Sequence, residues 1–169
     1  MRLAVLASGS GTILDSLLCD GIPVDLVVLD RPCRAAEVAA GHDVETLVVE
    51  RSSFGDDFDR EAYTAELTEA LADRGIDLVA MAGFGTILGQ AIQDRFGGRI
   101  LNTHPSLLPA FPGWHAVDDA LNAGVKVTGC TVHVATLEVD SGPILAQQAV
   151  EVHPEDTTDS LHEIGRAHV

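Results

Sequence analysis

The chain has little positive charge. It carries one lysine, Lys126, and nine arginines against 26 acidic residues, so its formal charge is −16 over 169 residues. So acidic a surface repels nucleic acid backbones and anionic membranes, and no local basic patch interrupts it, which argues against nucleic acid as a partner. An anionic small molecule stays compatible, because backbone amides and one or two arginines hold a phosphate against a global field. Long hydrophobic runs are missing as well: none approaches the ~20 residues of a membrane span. The opening MRLAVLASGSG has no basic stretch ahead of its apolar residues and no signal cleavage site. These absences predict a soluble, cytoplasmic protein with no membrane partner. Cysteine is scarce: Cys19, Cys33 and Cys130 are odd in number and widely spaced. That spacing fits neither a disulfide framework nor a CxxC metal site, so reduced, buried thiols are expected.

A hydrophobic content of 46% suffices for one domain with a sizeable core. Apolar runs alternate with helix-like segments. Leu3–Ala7, Val24–Asp30, Val44–Val49 and Ile76–Met81 read as strands, and a fifth ends near Leu101. Between them lie helical stretches from Ile13 to Cys19, Cys33 to Ala40, Asp59 to Asp73 and Leu88 to Phe96. In the third of these helices Phe58, Ala62, Ala65, Leu67 and Leu71 are the expected buried stripe. After a helix at Trp114–Asn122, the runs Val125–Thr136 and Pro143–Val152 alternate with no helix between them, which predicts an antiparallel pair. The pattern is that of an α/β fold: a Rossmann-like, doubly wound, mostly parallel sheet with helices on both faces and an antiparallel edge hairpin. Such sheets bind ligands beyond the carboxyl ends of their strands.

Three loops leave such ends. Ser8–Thr12, reading SGSGT, joins a strand to a helix start, where Gly9 and Gly11 permit close backbone approach and the helix amides attract an anion. It lacks the third glycine of a dinucleotide fingerprint and the Gly-Lys-Ser/Thr of a P-loop, so neither NAD nor ATP is favoured. Ala82–Gly89, AGFGTILG, could line a flat ligand with backbone and with Ile87 or Leu88. Asn102–Gly113, NTHPSLLPAFPG, carries three prolines and can continue as neither strand nor helix. If Asn102 and His104 are still extended, their side chains share one face and can donate two hydrogen bonds to one oxygen, as acyl or formyl transfer requires. SGSGT by itself is equally readable as a plain βα turn, whereas the Asn-x-His triplet by itself and Asp140 in its Asp-Ser-Gly turn read first as plain turn residues. His133 reads as support for a core or cleft wall. A zinc site from His104, His115 and His133 has no close ligand pair, and no metal is expected. Arg60, at a helix start, opposes the dipole, a misfit that an anionic ligand would relieve, although a solvated surface arginine is the more usual reason for such a placement.

Together, SGSGT, AGFGTIL, NTHPSLLPAFPG, TGCTVH and LEVDSGPIL closely resemble the phosphoribosylglycinamide formyltransferase branch of the folate-dependent formyltransferases, over Arg2 to about His162. The resemblance implies the formyltransferase fold over residues 1–163 as a single domain. It also implies formyl transfer from 10-formyltetrahydrofolate to the amine of glycinamide ribonucleotide in purine synthesis, with no metal and as a monomer or homodimer. Residue by residue, it implies a catalytic set of Asn102, His104 and Asp140, and a substrate phosphate site at Gly11, Thr12 and Ile13. The implied folate site comprises Arg60, Gly85, Thr86, Ile87, Leu88 and Asn102, with Val139 and Asp140 at the pterin pocket. Ile13 stands where many members have Asn, and Thr86 where a basic residue is frequent, which leaves Arg60 more of the work of receiving the folate glutamate tail. The family continues past SLHE, whereas Ile164–Val169 reads as a non-native tail such as a library adapter encodes. Rival readings are a formyltransferase acting on an amino-sugar nucleotide, a formyltetrahydrofolate hydrolase, and a non-catalytic module that binds a phosphorylated metabolite.

Overall fold

A computed structural model describes residues 1–166, with side chains through residue 162, so the last part of the expected tail lies outside the described residues. The chain divides into two compact units, Met1–Ile100 and Leu101–Val169. The first runs β1 (Leu3–Ala7), α1 (Thr12–Cys19), β2 (Leu26–Leu29), α2 (Ala35–Gly41), β3 (Thr46–Val48), α3 (Arg60–Asp73), β4 (Leu78–Met81) and α4 (Gln90–Phe96). β1 has β2 on one side and β4 on the other, β3 lies outside β2, and all three ladders are parallel. A parallel strand covered on both faces needs a continuous apolar run rather than alternation. LAVLA and LVVL satisfy this, and every residue of β1 and β2 is buried.

The stripe expected on α3 is partly corrected. Leu67 and Leu71 are buried as expected, but Ala62 and Ala65 are exposed and Phe58 lies half-buried ahead of the helix. The buried face is Tyr63, Thr64, Leu67, Thr68 and Leu71. Two threonines occupy it because their hydroxyls are satisfied: Thr68 donates to the Thr64 carbonyl at 2.6 Å, and Thr64 Oγ1 accepts from the Gly89 amide at 2.9 Å. Asp59 sets the start of the helix, its Oδ1 accepting from the Ala62 amide at 3.0 Å.

The second unit takes in β5 (Ile100–His104) from Leu101 onward, then α5 (Ala116–Asn122), β6 (Val127–Val134), β7 (Ile144–Glu151) and α6 (Thr158–Arg166). β6 pairs antiparallel with both β5 and β7, so the expected hairpin is present, with both strands slightly shorter than their apolar runs. Val117, Val150 and Leu161 form its small apolar cluster. Of the cysteines, only Cys130 is buried, and burial pushes its thiol pKa up. Cys33 is half-buried, and Cys19 is exposed at the last residue of α1, against expectation. Among the described residues no helix is long and apolar enough to cross a membrane.

Candidate active site

The antiparallel register of the second unit places Asn102 opposite His133 and His104 opposite Thr131. Asn102 and His104 are both within β5, so the two-residue repeat sets them on one face of the strand. Beyond His104 the chain turns away through a cis Leu108–Pro109 bond, and one buried hydroxyl pins the turn. Thr131 Oγ1 donates to the Ser106 carbonyl at 2.7 Å and accepts from the Leu108 amide at 3.1 Å. Gln147 bonds both that hydroxyl and the Leu108 carbonyl.

Asp140 is drawn into this arrangement from the β6–β7 connection. Its carboxylate, only 6% exposed, accepts from the Gly113 amide at 2.8 Å and lies 3.3 Å from His104 Nδ1 and 3.5 Å from His133 Nε2. A buried carboxylate needs this kind of pairing. His104, itself 5% exposed, turns its other nitrogen, Nε2, to the Phe111 carbonyl at 2.8 Å. Both ring nitrogens therefore lie against oxygen atoms, Nδ1 against the Asp140 carboxylate and Nε2 against the Phe111 carbonyl. Phe111 and Asp140, the two residues gripping His104, have φ of 52° and 54°. Left-handed backbone at non-glycine residues is strained and gathers where structure is held for function.

His133 has a part that its sequence context concealed. Its Nδ1 lies 3.1 Å from the Val134 carbonyl, which only accepts, so Nδ1 carries a hydrogen, and Nε2 takes the contact from Asn102 Nδ2 at 3.1 Å. That bond orients the Asn102 amide. A register shift between Val132 and His133, a common device beside active sites for re-aiming a side chain, was the local signal, but it is invisible in composition. The trio considered for zinc does not gather: His115 is exposed, 3.7 Å from Asp118, while His104 and His133 turn to Asp140. Among the described residues, the potential metal-ligand atoms that come together belong to the exposed Asp15, Cys19 and His42.

In the first unit, Gly11 caps α1 at φ 73°, and a Cβ there would lie 2.8 Å from the Ala35 Cα, so both conformation and space demand glycine. Thr12 and Ile13 follow as the first residues of α1, where amide hydrogens have no partner within the helix. Gly85 donates to Ser8 Oγ at 3.3 Å; Thr86 is buried, Ile87 is exposed and Leu88 is buried. The fully buried Asp30, at the end of β2, accepts from Ser8 Oγ at 2.9 Å and Thr86 Oγ1 at 3.2 Å, and from Arg31 through both carboxylate oxygens. Asp30 thus ties the SGSGT loop to the segment at 85–88, and neither motif contains it. Arg60 is exposed at the start of α3, and Val139 is exposed beside Asp140.

A family profile described as formyl transferase matches residues 1–168. Phosphoribosylglycinamide formyltransferase of Mycobacterium tuberculosis is 50% identical over 167 residues, covering 96% of this chain and 76% of that protein. The trifunctional purine biosynthetic protein adenosine-3 of Drosophila melanogaster is 40% identical, with 95% of this chain matching 12% of that longer protein. Among solved structures, glycinamide ribonucleotide transformylase 1 of Symbiobacterium toebii superposes with a TM-score of 0.92 at 40% identity, covering 99% of this chain and 81% of that one. That superposition bears out the α/β fold expected from the sequence. The chain belongs to the formyl transferase family and, within it, to the phosphoribosylglycinamide formyltransferases.

Proposed function

We propose that residues 1–163 work as one formyltransferase domain that moves a formyl group from 10-formyltetrahydrofolate to the amine of glycinamide ribonucleotide, giving the formylated ribonucleotide of purine synthesis. The observation that carries this reading is the joint hold of Asp140 and Phe111 on His104, with the Asn102 amide fixed by His133. In the reaction a C–N bond forms between the amine and the formyl carbon as the bond from that carbon to N10 breaks, and one proton passes from the amine to N10. Negative charge gathers on the formyl oxygen in between. Asn102 Nδ2 has a second hydrogen to offer that oxygen. His104 Nε2–H offers another once the oxygen takes the acceptor position now held by the Phe111 carbonyl. Asp140 favours the charged imidazole and helps pass the proton through water.

The remaining roles follow the expected assignments. Gly11, Thr12 and Ile13 receive the substrate phosphate at the start of α1. Arg60 and the backbone of Gly85, Thr86, Ile87 and Leu88 receive the folate, together with Asn102, Val139 and Asp140. The protein works in the cytoplasm on small molecules alone, as a monomer or homodimer. The direct test follows folate product formation by absorbance with and without glycinamide ribonucleotide, with formate measured in parallel. Turnover that requires the amine supports the transferase. Formate release without it would make the protein a hydrolase, and no turnover from a folded chain would reduce it to a binding module.

A further inference from the structure

Arg51 is a cation without a carboxylate partner among the described residues of a chain that has 26 acids. Among the described residues no carboxylate lies within ion-pair distance of it, although it is half-buried and firmly held. Its Nε donates to the Ser53 carbonyl at 2.7 Å and its Nη1 to Thr86 Oγ1 at 3.3 Å, both neutral acceptors. Its guanidinium lies over Phe58 at 4.0 Å and over Phe54 at 4.5 Å, which fixes the plane of the fork. Two acids of the same loop are engaged elsewhere: Asp57 bonds Ser53 Oγ, and Asp59 caps α3. Asp30 takes both arms of Arg31, whose guanidinium also lies over Phe54 at 4.2 Å. Among the described residues Nη2 of Arg51 has no hydrogen-bond acceptor, and it lies beside a Phe54 ring that is 56% exposed. Packed on Phe58 at 5.6 Å, Tyr63 adds a buried hydroxyl with no hydrogen-bond partner among the described residues. Its pKa is raised, chiefly by burial, with Asp30 adding to the rise and Arg51 opposing it.

A pre-oriented, unneutralised guanidinium fork is built for a planar anion, and a carboxylate is the one it matches in two parallel bonds. Thr86, which Arg51 touches, belongs to the segment that the folate reading assigns to the co-substrate, and a folate ends in the two carboxylates of glutamate. We infer that Arg51 is the carboxylate-receiving cation of the first unit and binds the glutamate end of the folate. The inference rests on that folate reading and names a residue outside the motifs that suggested it. Thr86 is neutral itself and supplies the hydroxyl that aims Arg51, accepting from it while donating to Asp30. The charge at this place is delivered from the loop between β3 and α3.

The test measures dissociation constants, by fluorescence titration, for two stable 10-formyl folate analogues that differ only in whether the glutamate is present. The full chain, Arg51→Gln, Arg51→Lys and Arg60→Gln are compared, with thermal unfolding to confirm that each is folded. The full chain is expected to prefer the glutamate-bearing analogue, and Arg51→Gln to cut that preference about tenfold, the worth of one charge-assisted pair. Arg51→Lys, which keeps the charge and loses the flat fork, should keep part of the preference. An equal loss for both analogues, or a preference that only Arg60→Gln removes, overturns the assignment while leaving the folate reading intact. If the full chain binds neither analogue, the folate reading falls first and takes the assignment with it.

Discussion

The two units hold their polar chemistry in different ways. From Asn102 to Asp140, two neutral-or-charged rings and an amide gather around one carboxylate, and the groups touch one another directly. From Ser8 to Thr86, one buried carboxylate is saturated by its own chain, and a cation at the edge of that network is left over. Interior polar clusters of the first kind place groups where charge develops during a reaction. Those of the second kind tie loops together and present what remains to a ligand. The difference teaches where loss of a side chain should cost rate and where it should cost binding or stability.

The largest expected effect breaks the first cluster. His104→Ala removes the ring held between Asp140 and Phe111 and, by the usual worth of one oxyanion donor, should lower kcat ~100- to 1000-fold, or about 3 to 4 kcal/mol. Amine-dependent turnover measures it, and near-normal turnover would sink the catalytic assignment.

A smaller effect should sharpen the comparison by separating orientation from contact. His133→Leu removes the acceptor that orients the Asn102 amide, so oxygen or nitrogen can face the reacting centre, and kcat should fall about tenfold with KM little changed. His133→Gln returns an acceptor on a side chain of similar reach and should recover most of the rate. Steady-state kinetics of both variants decides: equal losses, or a change confined to KM, would leave His133 a packing residue.

The strands of the first unit were legible because buried parallel strands demand unbroken apolar runs, and LAVLA, LVVL and LVAM announce them, while the order in which they pair was not. The common face of Asn102 and His104 was legible for another reason, their two-residue spacing at a strand end, whereas their catalytic reading came with the resemblance. Asp140 was legible only through resemblance, since an Asp-Ser-Gly turn has no chemistry of its own until its backbone adopts φ 54° and its carboxylate is buried. Asp30, Arg51 and His133 were not legible as site residues. Each takes its role from a contact across 22 to 56 positions of sequence, to Ser8, Thr86 or Asn102, and no local spacing records such a contact. The α3 stripe failed for a related reason: Thr64 and Thr68 count as polar in a periodicity search, but an acceptor or donor one turn or one loop away lets them be buried.

The smallest expected effect lies in the second kind of cluster. Thr86→Val keeps the shape of the side chain and removes a hydroxyl that accepts from Arg51 and donates to Asp30. Asp30 keeps Ser8 Oγ and the two bonds from Arg31, so its charge stays paired, and the variant should fold with about 1 kcal/mol less stability in urea. A loss of 3 kcal/mol or more would mean that Asp30 depends on the hydroxyl far more than its four hydrogen bonds suggest, since a buried carboxylate left short of donors is costly. Arg51 is less secure: with its Thr86 acceptor gone it retains the Ser53 carbonyl and the two phenyl rings, which hold its plane but not its direction. Binding of a glutamate-bearing ligand should therefore weaken by a small factor in the same variant, and stability and affinity together should show whether this network serves the fold, the ligand or both.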